Sequence, residues 1–271
     1  MSHSKKLTLP TFICVGAQRA GTTWLYHCLK EHPEIYMPAH KELRFFNYNY
    51  DEGIESYSRN FDDAGEREVI GEITPDYYRQ QYALLRIKEQ IPEVKLIFIL
   101  RNPIDRAFSQ YQLYCGTEYK EMSFRETYST HPDLIDWGKY GEHLEFIYSH
   151  FPKENVLVIE YDLLKGAPEE FLRQVFEFLN VSQDFKPTNL TKTYNKVIYP
   201  GAQKLLNFLG LQFVIDWIKE SPIGGWIRAK QKKKNFDIKK QDFDYLVKSF
   251  SEDVKKLESI MNADFSHWLK R

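Results

Sequence analysis

A three-layer α/β domain around a central parallel sheet is the fold this sequence predicts, on three observations. Short apolar runs alternate with amphipathic stretches; one run is apolar at nearly every position; and the first run leads directly into a glycine-bounded loop and a helix start. The four runs are residues 11–16, 69–72, 94–100 and 156–161. The third, VKLIFIL, reads as a central strand covered on both faces.

Between the runs, the spacing of apolar residues predicts helices over 22–31, 80–90, 103–115, 140–150 and 168–179. Pro103 falls in the first turn of its helix, where a missing N–H costs least. Residues 182–203 are polar and rich in Thr, Asn and Lys, which suggests a long loop or lid. A helical insertion follows at about 200–240: residues 204–220 are apolar on a wide helical face, and 228–240 carry seven basic residues against Asp237. That basic stretch reads either as a solvated tail or as a contact for an anionic partner or membrane surface. A last amphipathic helix is expected over 241–271, with Leu246, Phe250, Val254, Leu257 and Met261 three or four apart.

At 271 residues, with 42% hydrophobic and 15% aromatic residues, the chain is expected to form a single domain, 1–271, with a substantial core. The 37 Lys and Arg against 38 Asp and Glu leave a formal charge of −1, so no global basic field marks a nucleic-acid binder. Any anion site must be local. Cys14, Cys28 and Cys115 form neither a disulfide framework nor a zinc pattern, and no stretch approaches 18 apolar residues. The expectation is a soluble, cytoplasmic protein.

The most informative segment is FICVGAQRAGTTWL, 12–25. Gly16 and Gly21 enclose four residues, the spacing of a phosphate-binding P-loop, whose glycines let main-chain N–H groups turn around a phosphate. The helix start adds its positive end, Thr22 and Thr23 add hydroxyls, and Arg19 adds a cation. A nucleoside triphosphatase would place Lys after Gly21, where Thr22 stands, and a metal-holding acid after a neighbouring strand, where Arg101 stands. ATP–Mg chemistry is thereby disfavoured. In FILRNPIDRAFSQY, 98–111, Arg101 lies at the carboxyl end of its strand and Ser109 eight residues on. A guanidinium fork and a hydroxyl there predict a second phosphate site, separate from the first.

The two segments GAQRAGTTWL and LRNPIDRAFSQY resemble the nucleotide-binding motifs of sulfotransferases that use 3'-phosphoadenosine 5'-phosphosulfate (PAPS). HKELRFFN, 40–47, and GEITPDYY, 71–78, are similar to segments of the heparan-sulfate-type and bacterial members, in matching order from about residue 10 to 180. FSEDVKKLESIMNADFSHWL resembles their C-terminal helix. The resemblance implies the sulfotransferase version of the P-loop fold, with PAPS as sulfuryl donor and no metal. It further implies that Arg19, Ala20, Gly21, Thr22, Thr23 and Trp24 hold the 5'-phosphosulfate and that Arg101 and Ser109 hold the 3'-phosphate. Asn195 and Lys196 fall in a segment similar to the late loop that closes over the nucleotide. Trp24 either stacks on the base or belongs to the core.

Two positions depart from the pattern: the family usually has Lys where Arg19 stands, and heparan-sulfate enzymes place Lys where Ile73 stands. Arg keeps the charge but is planar and cannot deprotonate at working pH. Sulfuryl transfer needs a base for the acceptor proton and cations where charge grows on the leaving phosphate. Glu42, crowded between Lys41 and Arg44, is the candidate general base, with Arg19 assisting the leaving group; His40 and His27 are the other candidate bases. Lys41, Arg44, Glu72, Thr74 and Tyr77 are expected at the acceptor side. The expected acceptor is a hydroxyl or amine on a carbohydrate, lipid, small metabolite or carrier-protein-bound acyl chain. The rival readings are a P-loop kinase or NTPase and a non-catalytic nucleotide-binding module.

Overall fold

Five residues of unbroken apolar character, FICVG, form β1 (Phe12–Gly16), each of them buried. The computed structural model describes residues 7–117, 122–188, 190 and 238–271. Beside β1 lie β3 (Val69–Ile73) on one side and β4 (Lys95–Leu100) on the other, with β2 (Ile35–Tyr36) outside β3 and β5 (Val156–Glu160) outside β4. Every pairing is parallel: Phe12 faces both Gly71 and Lys95, and Leu100 faces Glu160. Parallel strands need crossovers, and the helices that make them flank the sheet.

The four runs expected as strands are all strands, with bounds within a residue of those expected. Residues 96–100 of β4 are fully buried, as its unbroken apolarity requires, whereas Leu157 and Val158 of the edge strand β5 are half-buried. The expected helices appear as Thr22–Glu31 (α1), Gln81–Gln90, Pro103–Thr117, Tyr140–His150 and Pro168–Leu179. Most of residues 182–203 and all of the 204–220 stretch lie outside the described residues, as does the basic stretch up to residue 237.

The last helix spans Lys240–Met261 rather than running on to residue 271. Asn262 takes the left-handed conformation at φ 50°, and the Ala263 N–H turns back to the Glu258 carbonyl at 3.3 Å, which ends the helix. Trp268 then packs into the core from a short 3₁₀ turn, Ser266–Leu269.

Strand order decides where a ligand can sit. The connection leaving β1 runs towards β2 and β3, and that leaving β4 runs the other way, towards β5. A crevice therefore opens between the carboxyl ends of β1 and β4, the topological switch point at which such sheets bind ligands. The glycine loop follows β1 and Arg101 follows β4, so both expected phosphate contacts border it.

One interaction ties the last helix to the sheet layer. Helix Tyr140–His150 has no side-chain cap of its own; Asp253 from Lys240–Met261 accepts the N–H groups of Gly141 and Glu142 at 2.9 and 2.8 Å. Asp253→Ala leaves the buried Gly141 N–H without a partner and removes the cap from Glu142, and should lower unfolding free energy by about 1–2 kcal/mol in urea titration.

Candidate functional site

At the end of β1 the chain turns through Ala17–Gly21 into α1, and the geometry leaves main-chain donors free. Leu25 N–H is the first to bond back, to the Gly21 carbonyl at 3.1 Å, so the N–H groups of Thr22, Thr23 and Trp24 have no intrahelical acceptor. No side chain caps α1 and its first turn has no acidic residue. Its positive end is therefore unneutralised. Gly21 suits this turn because φ is +82°; a Cβ would also press on the Leu164 methyl, 2.5 Å away.

Two guanidinium groups border this helix end. Arg19 Nε donates to Ser109 Oγ at 3.1 Å, and Arg101 Nη1 donates to the Arg19 carbonyl at 2.7 Å. The Arg101 guanidinium lies over the Tyr161 ring, 5.1 Å from its centroid, and its buried Nε has no hydrogen-bond partner. Neither arginine pairs with a carboxylate among the described residues; Asp105, the neighbour that might have neutralised Arg101 in sequence, is exposed and belongs to the next helix. Burial, with the like charge of Arg101, pushes the Arg19 pKa down from its ordinary value. The two segments expected to hold phosphates meet here, because helix Pro103–Thr117 turns back and brings Ser109 onto the Arg19 side chain.

A third guanidinium stands behind them. Arg106 is fully buried, donates to the Leu134 and Asp133 carbonyls, and has Nε and Nη1 without partners. Sequence reading missed it, and missed Tyr161, which both faces Arg101 and closes on Gly21. The only signal for Arg106 was its position three residues before Ser109, on the same helix face.

Trp24 belongs to the core. Its ring packs edge-on to Phe171 at 5.9 Å and its indole N–H donates to the Leu190 carbonyl at 3.2 Å, so what it can offer a phosphate is its main-chain N–H. Ala20 is buried beneath the loop. Asn195 and Lys196 lie outside the described residues.

The candidate base sits after β2. Glu42 Oε1 accepts from Lys41 Nζ at 2.6 Å and Oε2 from Arg44 Nη2 at 2.7 Å, with 30% of its side chain exposed. Burial alone would raise its pKa; the two cations outweigh burial and hold the carboxyl below its ordinary value. His40 is exposed, and His27 packs edge-on to Tyr26 at 5.3 Å.

Backbone strain marks both candidate segments. Five residues other than glycine have positive φ among those described; Asn180 and Asn262 are helix caps, and the other three are Arg19 at 68°, Glu42 at 65° and Arg44 at 54°. Each costs roughly 1–2 kcal/mol in a residue that carries a Cβ. Such conformations persist where the surroundings over-determine them, as at ligand sites.

Glu72, Thr74 and Tyr77, expected at the acceptor side, are fully buried and face the Glu42 segment from behind. The reason is that β3 is covered on both faces, so Glu72 points into the protein. Ile73 is likewise buried, and its carbonyl accepts the Glu42 N–H at 3.0 Å.

The geometry is an electropositive crevice with free main-chain donors, beside a carboxylate held between two cations. A family profile described as a sulfotransferase domain matches residues 9–200. The chain belongs to the sulfotransferase family. Within it, the chain is 39% identical over 163 residues to the membrane-associated sulfotransferase kil1 of Dictyostelium discoideum, which covers 58% of this chain and 30% of that protein. It is 29% identical over 184 residues to the heparan sulfate glucosamine 3-O-sulfotransferase 3A1 of Mus musculus, covering 65% and 47%. The chain thus spans less than half of either relative. Among solved structures, a sulfotransferase from Alicyclobacillus acidocaldarius superposes with TM-score 0.73 at 25% identity, over 96% of this chain and 99% of that one. The P-loop-like sulfotransferase fold expected from the motifs is the fold observed.

The depressed Glu42 pKa rests on its two cations. Lys41→Gln should raise it towards the ordinary glutamate range, read by pH titration of ¹³C-carboxyl-labelled protein with Glu42→Gln as the assignment control. Because the folded-state pKa is lowered, Glu42 adds stability above its unfolded pKa, and that increment is lost as pH falls through the folded value.

Proposed function

We propose that this sulfotransferase moves a sulfuryl group from PAPS to a hydroxyl, or alternatively an amine, of its acceptor, with Glu42 as general base. The observation that carries the reading is the convergence of Arg19, Arg101 and Ser109 on the uncapped start of α1, where an orphaned Arg101 Nε and free N–H groups await an anion. A donor with phosphates on both the 3' and 5' positions fits that set, since one anion meets the N–H groups of Gly21–Trp24 and the other Arg101 and Ser109. Charge is balanced by protein alone in this reading, and no metal enters it.

The donor supplies an electrophilic sulfur. Glu42 takes the acceptor proton while the acceptor oxygen bonds to sulfur, and the bond from sulfur to the phosphate oxygen breaks. Arg19 and the start of α1 stabilise the negative charge that grows on that leaving oxygen. A carboxylate held below its ordinary pKa is ionised at neutral pH but has the lower proton affinity, so an acceptor that displaces Lys41 or Arg44 from it would make it the stronger base.

We infer a carbohydrate acceptor first, with lipid, small-metabolite and carrier-bound acceptors behind it, because the mouse relative is named for heparan sulfate glucosamine. Among the described residues no helix is long and apolar enough to cross a membrane. Cys14, Cys28 and Cys115 are free and buried, which favours a reducing, cytoplasmic setting. A kinase or NTPase is disfavoured because Thr22 replaces the phosphate-binding Lys and a cation stands at the carboxyl end of β4.

Transfer of radiolabel from PAPS to a panel of glucosamine-containing oligosaccharides, sterols and phenols tests the reading. Glu42→Gln should lower kcat by about 10²–10⁴-fold with donor affinity unchanged. Arg101→Ala should instead weaken donor binding by about 10–100-fold, the loss of a hydrogen bond to a charged group. A protein that binds the donor yet labels no acceptor would be a non-catalytic nucleotide-binding module.

A further inference from the structure

Glu72 is a fully buried carboxylate whose three partners are all hydroxyls. It accepts from Thr74 Oγ1 at 2.6 Å, from Tyr77 Oη at 3.0 Å and from Tyr57 Oη. Ionised, a carboxylate is acceptor-only and takes all three O–H donors; burial raises its pKa, and the hydrogen bonds from Thr74, Tyr57 and Tyr77 work against that rise. Burial pushes the phenols of Tyr57 and Tyr77 well up from their ordinary pKa, so both remain protonated donors. An apolar residue would fill this strand position without the cost of desolvating a carboxyl.

Two of the three hydroxyls have a second bond, and both reach the Glu42 segment. Thr74 Oγ1 accepts the Arg44 N–H at 3.3 Å, and Tyr77 Oη accepts the Phe46 N–H at 3.3 Å. A hydroxyl has one proton and two lone pairs. With its proton committed to Glu72, its lone pairs are left for the N–H groups behind Glu42. With the Ile73 carbonyl on Glu42 N–H, residues 42, 44 and 46 are tethered at alternate positions. Two of them, Glu42 and Arg44, are the residues held at positive φ. Tyr57, by contrast, meets this segment through its ring, stacked 4.6 Å from Phe45.

We propose that Glu72 is a positioning residue: through the hydroxyls of Thr74 and Tyr77 it fixes the main chain of residues 42–46 and thereby the direction of the Glu42 carboxylate. The inference rests on the reading of Glu42 as general base. It explains how a strained segment outside regular structure at Glu42 and Arg44 holds its side chain on target, from the end of the strand behind it.

Three variants separate positioning from stability. Thr74→Val and Tyr77→Phe each cut a tether, whereas Tyr57→Phe removes a donor to Glu72 and keeps the ring on Phe45. Thr74→Val and Tyr77→Phe should lower kcat at least tenfold, with acceptor KM and affinity for adenosine 3',5'-bisphosphate within twofold. Amide hydrogen exchange should speed up at Arg44 in the first and at Phe46 in the second, and the Glu42 carboxyl titration should move in both. Thr74→Ser should restore all three readouts. Tyr57→Phe should lower the melting temperature and leave kcat and the Glu42 titration as they are. If Thr74→Val and Tyr77→Phe lose only melting temperature, as Tyr57→Phe does, the proposal is overturned. A wild-type protein that transfers no label would overturn the catalytic reading instead, while exchange and titration would still decide whether Glu72 positions the segment.

Discussion

Positive charge without a partner, gathered at the carboxyl ends of β1 and β4, is the constraint around which this protein is organised. Arg19 and Arg101 touch one another through a main-chain carbonyl, and neither has a carboxylate among the described residues. The helix that starts between them carries neither cap nor acidic residue in its first turn. Like charges placed together and partly desolvated raise the free energy of the ligand-free fold, and an anion with two charged ends relieves it. Buried β1 and β4 make that arrangement possible, because a rigid, fully packed sheet centre holds both loop starts in place. A sulfotransferase needs that field twice, to bind its donor and to stabilise the phosphate that leaves.

The proposed base is held by a different device. Glu42 lies on a segment whose backbone is strained at two residues, so its direction comes from what grips the main chain rather than from regular structure. The grip comes from the end of β3: the Ile73 carbonyl and the Thr74 and Tyr77 hydroxyls. The proposed donor site and the proposed base are thus hung on neighbouring strands of one sheet. Their separation is set by strand spacing and by the main-chain hydrogen bonds that tie the connecting segments to the strand ends.

The strands and long helices were legible because parallel strands buried on both faces read as continuous apolar runs, with amphipathic helices between them. The turn from β1 into α1 was legible because its bounding glycines are positions a side chain does not suit, Gly16 against the Tyr78 ring and Gly21 at φ +82°. Strand β2, of two residues, is too short to carry periodicity, and the short helices at Phe45–Tyr48 and Ile54–Ser58 are similarly silent. For Glu72 the sequence left open whether it orients the acceptor or a loop, because it does not show which face of a strand is covered; here both faces of β3 are covered and Glu72 is buried. Trp24 and Arg106 show the same limit in helices: which face an aromatic or a cation takes depends on packing partners far away in sequence, Phe171 for one and Leu134 for the other.

Calorimetric titration in EDTA bears most directly on the unpaired positive crevice, comparing adenosine 3',5'-bisphosphate with ADP and repeating the ADP titration with Mg. The account predicts that the bisphosphate binds without metal, more tightly than ADP under either condition, and that its affinity falls as salt rises. Tighter binding of ADP with Mg, or bisphosphate binding that appears only with Mg, would contradict it.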